Sequence, residues 1–524
     1  MSSKDVIVAK ADELADGEMK QVSANGSEIL LARESGNFHA IGAHCPHYGA
    51  PLVDGALSGD RIVCPWHHSC FSVATGDLED PPAFDALPSY EVRVEGDQVI
   101  VRIPDEGPDR RTPEMSKRDP DDDRLFVIVG GGAAGYMAVQ TLREDGFTGR
   151  LVMITREDRL PYDRPNLSKD YLQGTADPEW MPLRGDEFYA GHDIEVMREK
   201  EVARIDIEKK IIALDDGSTL NYDSVLLATG GTPRRLDVPG SDLKNVFLLR
   251  SFDNCDAIIR TAKSASRAVV IGASFIGMET AASLAQRGLS VTVVAPDKVP
   301  FEKTLGIEIG NLILEEHKAK GVDFRLGLGA VSFEGEASIT SVVLDSGERI
   351  ETDLVIVGVG VRPATDIIEG IELSRDGGII VDEYLRAADG VFAAGDIACF
   401  PSAISGQRQR IEHWRTAMQQ GRVAAHNMAG NNIPFDGVPF FWTHQFDIGL
   451  VYVGHATAWD EILFRGDVSA RDFLAFYVKE NRVLAAVGMN RDRDVAAIQE
   501  LMRLGKMPSV DEIRNGAAVF PSLL

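Results

Sequence analysis

Two short motifs, Cys45-Pro46-His47 and Cys64-Pro65-Trp66-His67, constrain this chain more than anything else in it. Two thiolates and two imidazoles arranged as C-x-H and C-x-x-H can be shared between the irons of a [2Fe–2S] cluster, two Cys on one and two His on the other. Soft thiolates suit the buried, sulfide-bridged iron, and imidazoles suit the outer one. Each motif contains a Pro, and Gly49 and Gly76 lie in the flanking turns. A structural zinc site, the competing use of such residues, usually pairs its ligands as C-x₂-C or H-x₃₋₅-H. The candidate metal ligands are therefore Cys45, His47, Cys64 and His67. His44 and His68 flank them, but choosing His68 would turn C-x-x-H into C-x₃-H. Both read as solvent-facing or hydrogen-bonded neighbours, and Cys70 as packing beneath the loop.

The surrounding sequence suits such a centre. Short β-type runs occupy Asp5–Ala9, Ser27–Arg33, Phe38–Gly42, Arg61–Cys64, Tyr90–Glu95 and Gln98–Ile103, separated by Gly, Pro, Asn and Asp. This all-β pattern resembles the small antiparallel Rieske fold, whose two ligand loops sit side by side at one tip. Rieske proteins of respiratory complexes carry an extra Cys in each loop, and these form a disulfide. Ala50 or a neighbour and Trp66 stand at those positions here, so that disulfide cannot form. Ser69 matches a serine that donates to a bridging sulfide in high-potential members, but the tyrosine donor two residues later is Phe71. Hydrogen bonds to the sulfurs set the potential. The expected potential is low, roughly at the −150 mV end of the Rieske range.

Residues 105–123, DEGPDRRTPEMSKRDPDDD, are rich in Pro and charge and have no apolar period. They read as a linker that, as a coil, would reach roughly 25 Å. Either a swinging or a fixed Rieske domain is compatible with it. The net charge of −27 over 524 residues argues against nucleic-acid binding, which needs a basic footprint. It fits a redox protein whose partner docks through a basic patch. No run of about 18 apolar residues predicts a membrane span, and Met1–Lys20 lacks the pattern of a signal peptide. Beyond the two cluster thiols, Cys70, Cys255 and Cys399 are scattered without a C-x-x-C pair. A disulfide framework and a dithiol active site are not expected, and a reducing cytoplasm is.

At Arg124 the pattern changes. LFVIVGGGAAGYMAVQTL reads as buried strand, glycine turn and helix, with the full fingerprint Gly130-x-Gly132-x-x-Gly135. Such glycines let backbone approach a pyrophosphate at a helix N-terminus. The next strand, Leu151–Thr155, ends near Glu157, at the distance expected of a ribose-binding acid. A second unit follows: strand Ala268–Ile271, turn Gly272 to Gly277 with Ser274 as the middle residue, helix Met278–Arg287 and strand Leu289–Val294. That last strand runs into Ala295-Pro296 rather than an acid, and no Arg stands ready for a 2′-phosphate, so NADH is favoured over NADPH. SVLLATGGTPRR (224–235) and DLVIVGVGVRPAT (353–365), the latter with Gly360, echo each other, which indicates a duplicated nucleotide unit inserted in the first. In VFAAGDIACFP (391–401), Gly395-Asp396 places a carboxylate at a helix start, as a flavin ribityl contact or a simple N-cap.

Taken together, HCPHYGAPL (44–52), LPYDRPNLSK (160–169), VIGASFIGMETAASL (270–284), FAAGDIACFP (392–401) and EHWRTAMQQGRVAAHNMAG (412–430) resemble the FAD-dependent ferredoxin reductases that serve oxygenases, and apoptosis-inducing factor. With the Rieske unit, the whole chain is similar to the Rieske-containing, apoptosis-inducing-factor-like oxidoreductases. The resemblance implies an all-β Rieske domain (1–104), a linker (105–124), and Rossmann-like domains of the pyridine nucleotide-disulfide reductase type. These are an FAD-binding domain (125–249 and 374–434) and an NAD(P)H-binding domain (250–373). An α+β C-terminal domain (435–524) follows, which in the family often shapes dimers or partner docking. It implies Glu157 on the FAD ribose, Arg164 and Lys169 along the flavin with Pro165 shaping the turn, and Thr229, Gly230 and Asp396 approaching FAD. It also implies Trp414 covering the flavin, and Lys169 paired with Glu279 beside the isoalloxazine, where the alternative is a purely structural ion pair. Phe441 and Trp442 are read as core residues or as part of an acceptor route. Departures from the family are Ser274, the missing acid at Ala295, and Asn166 where Pro is usual. The implied activity runs from NAD(P)H through FAD to the cluster and on to a separate acceptor such as an oxygenase. Rival readings are a stand-alone quinone or small-oxidant reductase and an NADH-sensing interaction protein, with a homodimer left open. A Rieske oxygenase is disfavoured, since two nucleotide domains leave no evident two-His-one-carboxylate iron site.

Overall fold

The computed structural model describes residues 2–105 and 107–524. Met1 and Glu106, which fall in the expected Rieske and linker segments, lie outside the described residues. The N-terminal region contains a six-stranded antiparallel sheet in the order Ser3–Lys10, Gln98–Pro104, Ser89–Glu95, Asn37–Gly42, Ser27–Glu34, Met19–Ala24. A second sheet, of four short strands, runs from Ala56–Ser58 through Arg61–Val63 and Cys70–Ser72 to Leu78–Asp80. The sequence reading missed Met19–Ala24, whose MKQVSA carries little β-type character, and three of these short strands, because three-residue strands show no alternation. The second ligand motif is the turn between Arg61–Val63 and Cys70–Ser72, and the first follows Asn37–Gly42.

The first nucleotide unit is a parallel sheet ordered Ile194–Met197, Arg150–Ile154, Leu125–Val129, Ser224–Leu227, Val391–Ala393, with Arg386–Ala388 antiparallel at its edge. Its strands are buried on both faces, as helix-covered parallel sheets require. Between Ser224–Leu227 and Val391–Ala393 the chain builds a second parallel sheet: Val246–Leu248, Leu354–Val357, Arg267–Ile271, Ser290–Ala295, Asp323–Leu326. A five-stranded antiparallel sheet (Phe440–Gln445, Ile448–Gly454, Arg482–Met489, Asp472–Lys479, Glu461–Asp467) and helix Asp492–Arg503 complete the chain.

The helix Trp414–Met428 crosses Ala133–Glu144 so closely that a Cβ on Gly421 would lie 2.2 Å from the Ala134 carbonyl oxygen. That crossing aims one face of the later helix at the N-terminal domain. Arg415, Gln419 and Arg422, at i, i+4 and i+7, share that face, and all three reach the strand Leu78–Asp80. The connecting segment is tied down. Arg111 bridges Ala86, Ser116 N–H donates to Arg143 O at 2.8 Å, and Asp119 N–H donates to Thr148 O at 2.8 Å. Of the two arrangements left open by the sequence, the structure has the fixed one.

Candidate functional site

The four cluster-type residues meet at the tip of the N-terminal domain. Cys45 and Cys64 are 2% and 1% exposed. Burial raises the Cys45 thiol, which hydrogen-bonds Cys64, while Cys64 is held down by that bond and by backbone N–H groups of residues 66–68. The His47 and His67 rings stand edge to face, with centroids 4.9 Å apart. Burial pushes His67 down to about 3, with the Lys169 cation adding to it, and His47 well below its usual value, so both are neutral imidazoles. His47 Nδ1 is enclosed and has no hydrogen-bond partner. Facing sulfurs and an orphaned ring nitrogen fit a binuclear cluster ligated by two pairs. Among the described residues, no three Cys, His, Asp or Glu are grouped about a single ion site. The Ser69 hydroxyl lies against Cys45 and accepts from Ala83 N–H at 2.9 Å, while Phe71 is fully buried without a hydroxyl.

His44 is half-exposed, bonded to Glu28 and Gly49. His68 is fully buried at φ +59°, and its Nδ1–H donates to Gln499 at 2.8 Å. Cys70 is fully buried beneath the loop. Around them is a clasp the sequence reading did not find. Arg415, fully buried, donates to Pro81 O (2.9 Å), His68 O (2.8 Å), Asp80 (3.0 Å) and Gln499 (3.3 Å). Arg61 and Gln419 also hold Asp80. The signal available in the sequence was the polar stripe Arg415/Gln419/Arg422 on a helix that is otherwise apolar or small on its inner side.

A cavity of about 1390 Å³ opens between the two parallel sheets and the C-terminal domain. Its floor is the first glycine turn. Gly130 has φ +125°, and a Cβ there would lie 2.1 Å from Ala228 O, whereas a Cβ on Gly132 would meet nothing within 4 Å. The result is an open cradle at the N-terminus of helix Ala133–Glu144, the arrangement that receives a pyrophosphate. Glu157, Arg164, Thr229, Gly230, Gly360, Gly395, Asp396 and Trp414 line the same cavity, as do Lys169 and Glu279. Gly135 and Gly277 stand beneath the two turns, where a Cβ would meet the Gly130 and Gly272 carbonyl oxygens at 1.9 and 2.1 Å. They permit close packing and do not line the cavity, and neither does Gly272.

The charged groups are paired. Burial raises the Glu157 carboxyl, but the Arg164 guanidinium (2.9 Å) and Tyr162 hydroxyl (2.7 Å) more than offset this and leave it below its ordinary value. Asp396 lies inside the short turn Gly395–Ile397 rather than capping it and is bound by Arg250 at 2.8 Å. Lys169 Nζ donates to Glu279 at 2.8 Å, and Ser168 Oγ donates to the same carboxylate oxygen at 2.6 Å. Glu279 is 3% exposed.

Cavity and cluster site are joined by Trp442. It lines the cavity and packs its ring 4.5 Å, centroid to centroid, from His67. Phe441, on the opposite face of the strand, is stacked on Tyr452 in the core. Tyr48, beside His47, hydrogen-bonds Asp163, and Asn166 donates to Tyr48 Oη at 2.9 Å and to Asp163 at 3.0 Å. Asn166 therefore stitches the loop that carries Arg164 and Lys169 to the cluster domain.

Comparison with known proteins agrees with this geometry. Residues 125–421 match the pyridine nucleotide-disulphide oxidoreductase family, residues 4–91 the Rieske [2Fe-2S] domain and residues 440–523 the reductase C-terminal domain. Human apoptosis-inducing factor 3 is 38% identical over 511 residues, covering 95% of this chain and 84% of the relative. Rhodocoxin reductase of Rhodococcus erythropolis is 34% identical over 389 residues, covering 74% of this chain and 91% of its own. The solved putidaredoxin reductase–putidaredoxin covalent complex superposes with a TM-score of 0.73 at 30% identity, covering 77% of this chain and 98% of that one. An NAD(P)H-dependent flavoprotein reductase and a Rieske [2Fe–2S] carrier are thus fused, with FAD as the intermediate carrier. The chain belongs to the pyridine nucleotide-disulphide oxidoreductase family, with a Rieske domain preceding its nucleotide-binding domains.

Proposed function

We propose that Lys169 and Glu279 face the reacting rings in the cavity, that Trp442 links that cavity electronically to His67, and that a separate redox protein such as an oxygenase takes electrons from the Rieske domain. Bound FAD supplies a two-electron hydride acceptor and the cluster a one-electron outlet. The chain's own residues bind and orient. The Gly130–Gly132 turn and the following helix N-terminus receive the FAD pyrophosphate, and Glu157, held by Arg164, accepts from the ribose. Thr229 and Gly230 would bring backbone close to the FAD, Gly395 and Asp396 would contact its ribityl part, and Trp414 would lie against the flavin, all of them lining the cavity. Gly360, together with the Gly272–Gly277 turn, shapes the NADH side.

Lys169 holds a positive charge where negative charge develops on hydride arrival, and its pairing with Glu279 avoids an isolated buried cation. No general base is needed. Cys45, Cys64, His47 and His67 hold the cluster, two to each iron. The observation that carries the reading is the position of Trp442, with one edge on the cavity and the other on a cluster-type histidine.

The rhodocoxin and putidaredoxin reductases are named for separate partners, which supports an external acceptor. No helix among the described residues is long and apolar enough to cross a membrane. All five cysteines are free and buried, which supports a reducing compartment such as the cytoplasm. Likeness to apoptosis-inducing factor 3 across both parts of the chain favours, as a second reading, an NADH-sensing interaction protein, whose mark would be slow turnover and a dimer that tightens on NADH. Anaerobic mixing with NADH, following flavin and cluster bands separately, tests the first reading. Both should bleach, the cluster after the flavin. A flavin that bleaches above a cluster that stays oxidised overturns it.

A further inference from the structure

The Glu279 carboxylate is the end of a longer chain of buried donors. Its second oxygen accepts from Thr443 Oγ1 at 2.8 Å. Gln445 Nε2 donates to Thr443 Oγ1 at 2.8 Å, and His317 Nε2 lies 2.9 Å from Gln445 Oε1. Thr443, Gln445 and His317 are 1%, 2% and 0% exposed.

The polarity of this chain is forced. A carboxylate can only accept, so the Thr443 hydroxyl must donate to it and can accept only from the Gln445 amide. The Gln445 oxygen then faces His317, which must carry its proton on Nε2. His317 Nδ1 is buried without a partner in a ring wedged between Phe324 and Phe446, which is compatible with a bare lone pair there and a proton on Nε2.

The strand Phe440–Gln445 explains how one element does this. Thr443 and Gln445 are two residues apart and project to the same face, toward Glu279. Trp442, between them, projects to the other face and meets His67. The strand therefore touches both ends of the electron path, and His317, on helix Glu302–Ala319, anchors it from outside the cavity.

We infer that Thr443, Gln445 and His317 are positioning residues that lock the Glu279 carboxylate, and through it the Lys169 ammonium, in the orientation used at the cofactor cavity. This rests on the reading of Lys169 and Glu279 given above. A hydrogen bond to a charged, buried group is among the strongest a side chain makes, and an unmet one is costly. Without the Thr443 donor, one Glu279 oxygen is unsatisfied and the carboxylate is fixed only through the oxygen that Lys169 and Ser168 share.

The test compares Thr443→Val, Thr443→Ser, His317→Phe and Lys169→Met in the fully loaded protein. Three readouts are used: the rate of NADH-driven flavin bleaching, the flavin midpoint potential, and the His317 side-chain ¹⁵N shifts. Thr443→Val should slow bleaching about tenfold, the lower end of what a hydrogen bond to a charged group carries. It should also make the potential more negative and release His317 from the single Nε2–H tautomer. Thr443→Ser should restore all three. His317→Phe, which lines no part of the cavity, should move rate and potential in the same direction by a smaller factor, and it carries the comparison if Thr443→Val does not fold. If neither Thr443→Val nor His317→Phe changes rate or potential while Lys169→Met slows bleaching, the inference is wrong and the proposed function stands. If Lys169→Met also leaves flavin content and bleaching unchanged, the Lys169–Glu279 reading falls with it.

Discussion

Replacing Arg415 by Met should loosen the cluster domain from the reductase. The side chain is fully buried and donates three hydrogen bonds across the seam, to the backbone oxygens of Pro81 and His68 and to Asp80, and a fourth to Gln499 on the reductase side. Met matches its length but offers no donor. Asp80 keeps Arg61 and Gln419, so the loss falls on the two carbonyls and on Gln499, which retains only His68. An unmet buried acceptor costs about 1–3 kcal/mol, and breaking a buried charged network costs roughly 3–5 kcal/mol. The docked state should therefore lose about two to four powers of ten in its equilibrium against the open one. His68 O is also the far side of the second ligand loop, so the loop should lose its fixed register to His67 and Trp442. The assay is single-turnover electron transfer from flavin to cluster after NADH mixing, together with the rate of proteolysis in residues 107–123. Cluster reduction should slow and become protease-sensitive while flavin bleaching and FAD content stay as they were. Arg415→Lys, which keeps the charge but not the fork, should lie between. An Arg415→Met protein with unchanged cluster reduction and unchanged protease resistance refutes the claim that this clasp holds the seam.

The cluster should titrate at a low potential, and Phe71→Tyr, if its hydroxyl reaches a cluster sulfur, should raise it by roughly 40 mV, the one-electron equivalent of a hydrogen bond worth about 1 kcal/mol. A strongly positive wild-type potential would sink this. Burial lowers His317 to about 4 from the ordinary histidine value near 6.5. Its contribution is therefore neutral above pH 6.5, where both folded and unfolded forms are unprotonated. As pH falls from 6.5 toward 4, only the unfolded state gains the proton, and stability drops by about 1.4 kcal/mol per pH unit, or about 2 kcal/mol by pH 5. Denaturant titrations at pH 7 and pH 5 should show that His317→Phe removes this part of the acid loss, and an identical acid loss in both proteins would contradict it. Trp66, 42% exposed between two cluster ligands, is an exposed aromatic at the tip where the proposed acceptor would dock. Trp66→Ala should lower kcat/KM for a protein acceptor roughly 5- to 30-fold, as for an aromatic interface anchor, with NADH-driven cluster bleaching unchanged, and an unaltered kcat/KM would exclude it.

What the sequence made legible follows from how local each signal is. The cluster motifs and the two glycine turns are short-range: four ligands lie within 23 residues, and each fingerprint is strand, turn and helix in direct succession. Their geometry depends on neighbours in the chain, so spacing suffices to read them. The clasp is the opposite case. Arg415 meets Pro81 across 334 positions and His68 across 347, and nothing near Arg415 announces that its partner is a backbone oxygen of another domain. Asn166 is visible in the sequence as a departure from the family pattern, but nothing near it in the chain supplies its partner. Its role appears only once Tyr48, 118 positions away, is folded against it. Thr443 and Gln445 stand in a mixed stretch, Phe440–Gln445, whose sequence does not announce that both are buried. What distinguishes them is a donor direction, which only a carboxylate at the other end imposes.

Whether the Rieske domain moves is decided by the seam and not by the segment that precedes the reductase. A 19-residue charged coil could tether a mobile carrier, but here it is hydrogen-bonded along its path. More importantly, the domain shares its hydrophobic cores with both neighbours. Phe71, Leu78, Ala83 and Leu87 are continuous with the core of the first nucleotide sheet. Ala56, Val63 and Cys70 are continuous with the helix Asp492–Arg503. Transient carrier complexes are typically small, polar-rimmed and wet, because each partner must be stable alone in water. An interface that buries a full Arg, two amides and two stretches of apolar core cannot open without exposing all of them. With the docked state as the ground state, reduction of the cluster is an intramolecular event with no encounter between separate proteins in front of it, and protein concentration would enter only at the later step, when the proposed acceptor arrives. Two-component relatives must optimise an encounter between reductase and carrier. In this chain that encounter has become part of the fold, and the acidic surface is left free to serve the next partner.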